Sequence, residues 1–204
     1  KPGLDPVSPD HPLVCATGPL SGTMVPTGGN GHAFASKSPE TLAMGEALAH
    51  GNFGTTMKHA GYDAIIMRGK AEKPVYLWID DDSVQIMDGK HLWGKSTQET
   101  EEVIKNELKD FYIRVACIGA AGEKLARIAC IMNDRSRAAG RCGLGAVMGS
   151  KNLKAIAIRG SKDIKVAHQE RLLELVQIQH ERMKGPASRK YRTLGTPENV
   201  LVLQ

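Results

Sequence analysis

The chain has 204 residues, 41% hydrophobic and 24% charged, and these globular proportions exclude a largely disordered polypeptide. Lys+Arg number 27 against 22 Asp+Glu, a net charge of +5 that suits an anionic ligand but is too small to argue for nucleic acid, and aromatics at 4% leave few stacking platforms. No apolar run reaches the roughly 18 residues of a membrane span and no cationic-then-apolar leader opens the chain, so it reads as cytoplasmic with no membrane partner.

Lys1-Pro-Gly-Leu-Asp-Pro6 reads as a loop, and a first residue other than Met fits a chain that starts inside a longer protein. A strand is expected at Leu13–Ala16, then a stretch rich in Gly and Pro from Gly18 to Gly31, then a short strand at His32–Ser36. A helix follows from about Gly54 to Ala60, stopped by Gly61. Three strands come next, Ala64–Arg68, Val75–Ile79 and Ser83–Met87, the last two joined by the acidic turn Asp80–Asp82. Val75, Leu77 and Ile79 alternate with Tyr76 and Trp78, which predicts a sheet covered on both faces.

Ser96-x-x-Glu99 is a capping box that opens a helix running to about Leu108. Strands are then expected at Arg114–Ile118, Arg127–Met132 and Ala155–Arg159. Leu172, Leu173, Val176 and Met183 recur at helical spacing between Gln169 and Lys184, and Gly185-Pro186 closes that helix. The apolar tail Val200–Leu203 looks like an element cut short. Strands dominate to residue 160 and helix afterwards, so the fold class is α+β: a β-rich domain over 1–165, then the start of a helical domain over 166–204.

The densest chemical signal lies between Asn133 and Lys151, where Gly140, Gly143, Gly145 and Gly149 are flanked by Arg135, Arg137, Arg141 and Lys151. Glycines let main-chain amides approach an anion, and guanidinium forks add bidentate donors, so the segment suits a phosphate or pyrophosphate. A tight packing turn with solvated arginines is the less favoured alternative reading of the same residues. The spacing is neither a Walker loop nor a dinucleotide fingerprint. The Gly18–Gly31 stretch is either a ligand-facing backbone or a long surface loop.

Cys15, Cys117, Cys130 and Cys142 form no Cys-x-x-Cys pair, and the first three sit in apolar runs, so buried reduced thiols are expected rather than a cluster. His32 and His50 fall in the glycine-rich half; His59 and His91 read as structural. The sequence offers no catalytic acid or base of its own and no metal-ligating set of side chains.

Several ordered motifs resemble one family. They are Cys15-Ala-Thr-Gly-Pro-Leu-Ser-Gly-Thr23, Lys58-His-Ala-Gly-Tyr-Asp-Ala-Ile-Ile66, Gly69-Lys-Ala-Glu-Lys-Pro-Val-Tyr76, Ile118-Gly-x-Ala-Gly-Glu123, Ile131-Met-Asn-Asp134, Arg137-Ala-Ala-Gly-Arg141 and the run from Gly145 to Ala155. Together they are similar to the N-terminal domain of the tungsten-containing aldehyde:ferredoxin oxidoreductases over about residues 5–165, without that domain's first segment.

The resemblance implies two β-sheets with few helices, forming a base for a bis-pterin tungsten or molybdenum cofactor with Mg. It implies oxidation of a small aldehyde to a carboxylic acid, with electrons passing through a [4Fe–4S] cluster to ferredoxin, and a homo-oligomer as one assembly. The cluster cysteines would lie in helical domains beyond this chain. Of the pterin contacts, Arg137, Ala138 and Gly140 match the family's pattern. Asn30 stands where an arginine is usual, and Leu48, His50 and Gly51 occupy an altered second segment. Backbone carbonyls of Leu48 and Ala138 are the positions implied for Mg. These departures leave a second reading, a non-catalytic scaffold or anion-binding domain of the same fold with a degenerate pterin site. A nucleotide-phosphate module, resting on the glycine–arginine segment alone, is a third.

Overall fold

The computed structural model describes residues 3–26 and 28–202. Lys1 and Pro2 of the expected N-terminal loop, and Leu203 of the expected tail, lie outside the described residues. The chain divides into two units, one holding residues 28–164 with the segment up to Thr23, the other holding residue 165 onward with Met24–Thr27.

In the first unit, β1 (Leu13–Thr17), β2 (His32–Lys37), β3 (Met44–Ala49), α1 (Phe53–His59) and β4 (Ala64–Met67) come first. Strands β1–β4 form an antiparallel sheet in the order β3-β2-β1-β4. Then follow β5 (Val75–Asp80), β6 (Ser83–Asp88), α2 (Thr97–Glu107), β7 (Arg114–Cys117), α3 (Ala120–Glu123), β8 (Ile131–Asn133), β9 (Arg137–Ala139), α4 (Leu144–Ser150) and β10 (Leu153–Arg159). These strands form a six-stranded sheet ordered β6-β5-β10-β7-β8-β9, in which only the β5–β10 pair is parallel.

Strand alternation divides the core in two. Ile156 and Ile158 of β10, with Ala116 of β7, face the first sheet together with Leu13, Phe34, Phe53, Met57 and Leu144. Ala155 and Ala157, with Val115 and Cys117, face the other way against Tyr76, Leu92 and Ile104. The inner strands of the six-stranded sheet are therefore covered on both faces, as the β5 pattern predicts, while edge strand β6 is largely exposed. Each side chain moved from water into these clusters contributes about 1.5–3 kcal/mol for the larger residues. Helix α2 opens with the expected capping box, since Ser96 Oγ accepts from the Glu99 amide at 3.2 Å while Glu99 Oε2 accepts from the Ser96 amide at 2.8 Å.

Three sequence expectations are corrected. Strand β3 reads as no strand because its buried positions are Gly45, Ala47 and Ala49 while Met44 and Leu48 point outward, an inverted hydrophobic pattern. The strand expected over Arg127–Met132 is confined to Ile131–Asn133; residues 126–129 form a turn, which leaves Cys130 half-buried. The glycine-rich segment is not one loop but a hairpin strand, β9, followed by the buried helix α4.

Buried Cys15 and Cys117 behave as expected of inert thiols; burial pushes both upward, Cys117 to about 12. In the second unit, α5 (Gln169–Met183) leads to a 3-10 turn at Pro186–Ser188, α6 (Arg189–Leu194) and α7 (Glu198–Val202). Val176 on α5 is buried, whereas Leu173 and Met183 of the expected stripe are 41% and 40% exposed. No helix among the described residues is long and apolar enough to cross a membrane.

Candidate functional site

The antiparallel register brings the start of β2 beside the end of β3, with His32 opposite Ala49. Asn30, Gly31, His50 and Gly51 therefore share one end of the first sheet. The loop before β2 folds back on itself, the Gly22 amide donating to the Gly29 carbonyl at 2.6 Å and Ser21 Oγ to the Gly31 carbonyl at 2.8 Å. Thr55 Oγ1 ties that loop to α1 by donating to the Gly29 carbonyl at 3.1 Å.

The β8–β9 hairpin meets the same end. Asn133 Nδ2 donates to the His50 carbonyl at 2.9 Å, and Asp134 Oδ2 accepts from the amides of Asn52 at 2.6 Å and Phe53 at 3.3 Å. On the next turn of chain, Cys142 Sγ lies 3.7 Å from the Glu46 carbonyl. Alternate carbonyls of a strand leave on the same side. Glu46 and His50 give theirs to the 133–142 segment, so the Leu48 carbonyl between them points toward that segment too. Segments 28–31, 48–55 and 133–142 thus converge.

The four arginines and lysines flanking the glycines have different fates. Lys151 is buried, with Nζ donating to the carbonyls of Pro9, His11 and Gly69 at 3.3, 2.6 and 3.2 Å, so it closes the fold rather than awaiting an anion. Arg135 pairs with Glu102 at 3.3 Å. Arg137 and Arg141 are exposed and, among the described residues, carry neither an ion pair nor a hydrogen bond through their guanidinium groups.

The glycines divide in the same way. A Cβ at Gly145 would sit 2.5 Å from the Cys130 carbonyl oxygen, and one at Gly149 2.0 Å from that of Gly122, so these residues serve helix packing. At Gly140 the nearest atoms are those of Ala138 at 3.6 and 4.0 Å, which leaves the approach to its backbone open.

The outward face of the first sheet carries small side chains at that end. Leu48, Ala33, Ala16 and Ala64 stand in one cross-strand row, and Glu46, Ala35, Val14 and Ile66 in the next. Beneath it lie buried polar atoms without partners. His32 is 2% exposed, tilted against Phe53 with ring centroids 5.2 Å apart, and neither ring nitrogen has a partner; Asn133 Oδ1 and Asp134 Oδ1 are also buried without one. Burial is the main cause that lowers His32 to about 4, with the Asp134 carboxylate opposing and His50 reinforcing the shift. The folded state refuses a proton that the unfolded chain accepts at its ordinary 6.5. Stability should therefore be full above pH 6.5 and fall on acidification from there to about pH 4, by up to about 3 kcal/mol. Urea titrations across this window should show the decline, and His32→Phe should flatten it.

Asn30, Leu48, His50, Gly51, Arg137, Ala138 and Gly140, named from the sequence, lie on the three segments that come together, whereas the sequence reading passes over Asp134 as a structural joint. The available signal is an Asn-Asp pair closing a strand, since short polar side chains there bond nearby backbone. His59 and His91 are structural, as expected: His59 Nδ1 is 2.7 Å from the Lys162 carbonyl oxygen and His91 Nε2 is 3.1 Å from Glu107 Oε2. No group of three or more His, Cys, Asp or Glu among the described residues could hold a metal.

The two-sheet α+β base thus presents the unpaired Arg137 and Arg141 guanidinium groups and an exposed backbone stretch at one end. Residues 1–160 match the family model of the aldehyde ferredoxin oxidoreductase N-terminal domain, and the chain belongs to that family. It is 47% identical over 197 residues to the tungsten-containing aldehyde ferredoxin oxidoreductase of Pyrococcus furiosus, covering 94% of this chain and 32% of that protein. It is 41% identical over 170 residues to the aliphatic sulfonate oxidoreductase, WOR-like subunit, of the same organism, covering 78% of this chain and 27% of that one. Among solved structures it is similar to the active-site complex BamBC of benzoyl coenzyme A reductase in complex with 1,5-dienoyl-CoA, with a TM-score of 0.88 and 41% identity over 94% of this chain and 28% of that chain. The chain spans about a third of the length of the curated relatives that it matches.

Proposed function

We propose that this chain is the cofactor-holding domain of a tungsten or molybdenum bis-pterin oxidoreductase, residues 1–165 forming the base and 166–204 opening a helical part. The observation that carries the reading is the convergence of the 28–31, 48–55 and 133–142 segments with two unpaired guanidinium groups, Arg137 and Arg141, beside an open backbone at Gly140. The residues present fit a diphosphate-bearing planar group: cationic forks for the phosphates, amides reachable without a Cβ, and an alanine-lined sheet face beside them. Arg137, Ala138 and Gly140 would hold the phosphates, with weaker contributions from Asn30, His50 and Gly51. The carbonyls of Leu48 and Ala138 would face Mg.

When bound, such a cofactor supplies two-electron oxidation of an aldehyde with oxygen from water. This chain's residues grip and orient it, and the [4Fe–4S] cluster and the ferredoxin contact belong to the rest of the polypeptide. Relatives named for aldehyde, sulfonate and benzoyl coenzyme A chemistry share this third of their length, which supports assigning the domain to the cofactor rather than to the substrate.

Asn30 removes one cation from the phosphate side, so Arg137 carries more of the grip. Arg137→Ala in the full-length protein should weaken retention of the metallopterin about tenfold to a hundredfold, the worth of one or two charge-assisted hydrogen bonds. Metal and pterin content per polypeptide after gel filtration measures this; wild-type retention in the variant would leave the arginine without the role given to it.

A further inference from the structure

The β8–β9 turn is bent in an unusual way. Asp134 and Arg135 have φ of 45° and 63°, the left-handed region, which costs non-glycine residues of order 1–2 kcal/mol each. Surrounding contacts hold that strain in place. Asp134 Oδ2 accepts three hydrogen bonds, from the Asn52 and Phe53 amides and from Asn133 Nδ2 at 3.0 Å. From the other side, buried Glu101 accepts from the Arg135 amide at 3.1 Å, and Glu102 pairs with the Arg135 guanidinium. Gly51 closes the joint with φ of 107°, and a Cβ there would come 2.3 Å from Asp134 Oδ2 and 3.2 Å from Arg137 Cγ.

One carboxylate oxygen therefore bolts the loop after β3 to the hairpin that presents Arg137. We propose that Asp134 is a positioning residue: its bonds to the Asn52 and Phe53 amides fix the spacing between His50–Gly51 and Arg137–Gly140, and hence the span of the cofactor grip. This rests on the cofactor reading above. Asp134 itself acts through backbone, with Oδ2 already filled and pointed at amides rather than outward.

The test uses the full-length protein purified with its cofactor, comparing Asp134→Ala, Asp134→Asn and, at the exposed pair of the same turn, Glu102→Gln. Metal and pterin content and hydrogen exchange of the Asn52 and Phe53 amides are the readouts. Asp134→Ala should lose about tenfold in cofactor content and exchange those amides about tenfold faster, because charge-assisted bonds to backbone N–H are the strong kind. Asp134→Asn, which keeps an acceptor oxygen, should recover most of both, and Glu102→Gln should match wild type. Wild-type content in Asp134→Ala, or no recovery in Asp134→Asn, overturns the proposal. If Asp134→Ala fails to fold, Gly51→Ala strains the same contact from the opposite segment and should lower cofactor content; unchanged content there overturns it too. A wild-type protein without metallopterin would sink the cofactor reading by itself, and unchanged amide exchange in Asp134→Ala would sink the tether.

Discussion

Glu123→Ala is expected to lower the unfolding free energy by about 3–5 kcal/mol, the loss typical of a buried charge stripped of its partner. The ladder register shifts between Leu153 and Ala155 of β10, and Lys154 at this irregularity is fully buried. Its Nζ reaches Glu123 Oε1 at 2.5 Å and the Lys95 carbonyl at 2.8 Å, and the Glu123 carboxylate also accepts from the Gly94 amide at 2.9 and 3.0 Å. Truncating Glu123 leaves an ammonium in the interior with one carbonyl, while the exposed Gly94 amide turns to water. Chemical denaturation should show the full loss. Lys154→Met with Glu123→Leu should recover much of it, because an apolar pair of similar volume needs no compensation; a single-variant loss below about 1 kcal/mol would mean that water reaches the pair.

Gly143→Ala should cost about 3–4 kcal/mol, the sum of a left-handed backbone and an overpacked contact. Gly143 has φ of 64°, and a Cβ there would lie 1.8 Å from the Arg127 carbonyl oxygen, a main-chain atom that cannot swing away. The position is the N-terminal hinge of α4, every residue of which is buried. Thermal melts of the variant should fall accordingly, while the cofactor contacts proposed for Arg137 and Gly140, three residues and more upstream, should respond only through the lost fold. A variant that melts with wild type would mean that α4 can shift away from residue 127.

The contrast between Gly143 and Gly140 shows what composition conceals. Four glycines within ten residues read as one anion loop, yet three answer to backbone crowding around α4 and only Gly140 stands open. Nothing in a one-dimensional sequence separates a glycine that admits a ligand from one that admits a neighbouring carbonyl. Strand β5 and helix α2 were legible because alternation and a capping box are local signals. Strand β3 was not, because its buried face is Gly45, Ala47 and Ala49, and the small size that suits it to packing beside β9 and Cys142 removes the hydrophobic signature. Strand β9 was hidden for a related reason, since Arg137-Ala-Ala139 takes its strand form from pairing with β8 rather than from propensity.

The segments that meet at the candidate site were legible through the family motifs, and the residues alone favoured a phosphate cradle over a packing turn. What the sequence could not carry is the joint. Asp134 and Asn52 are 82 positions apart, and only the folded register of two sheets lays the carboxylate on the amide.

The central claim is that one end of the four-stranded sheet and the β8–β9 hairpin together grip the diphosphate arms of a metallopterin. Diffraction from crystals of the full-length protein, collected at the tungsten absorption edge, tests it most directly. The account predicts a metal peak over the face bearing Ala16, Ala33 and Leu48, with phosphate density in contact with the Arg137 guanidinium and the Gly140 amide. A metal peak against another face of the domain, with Arg137 left in solvent, would contradict it.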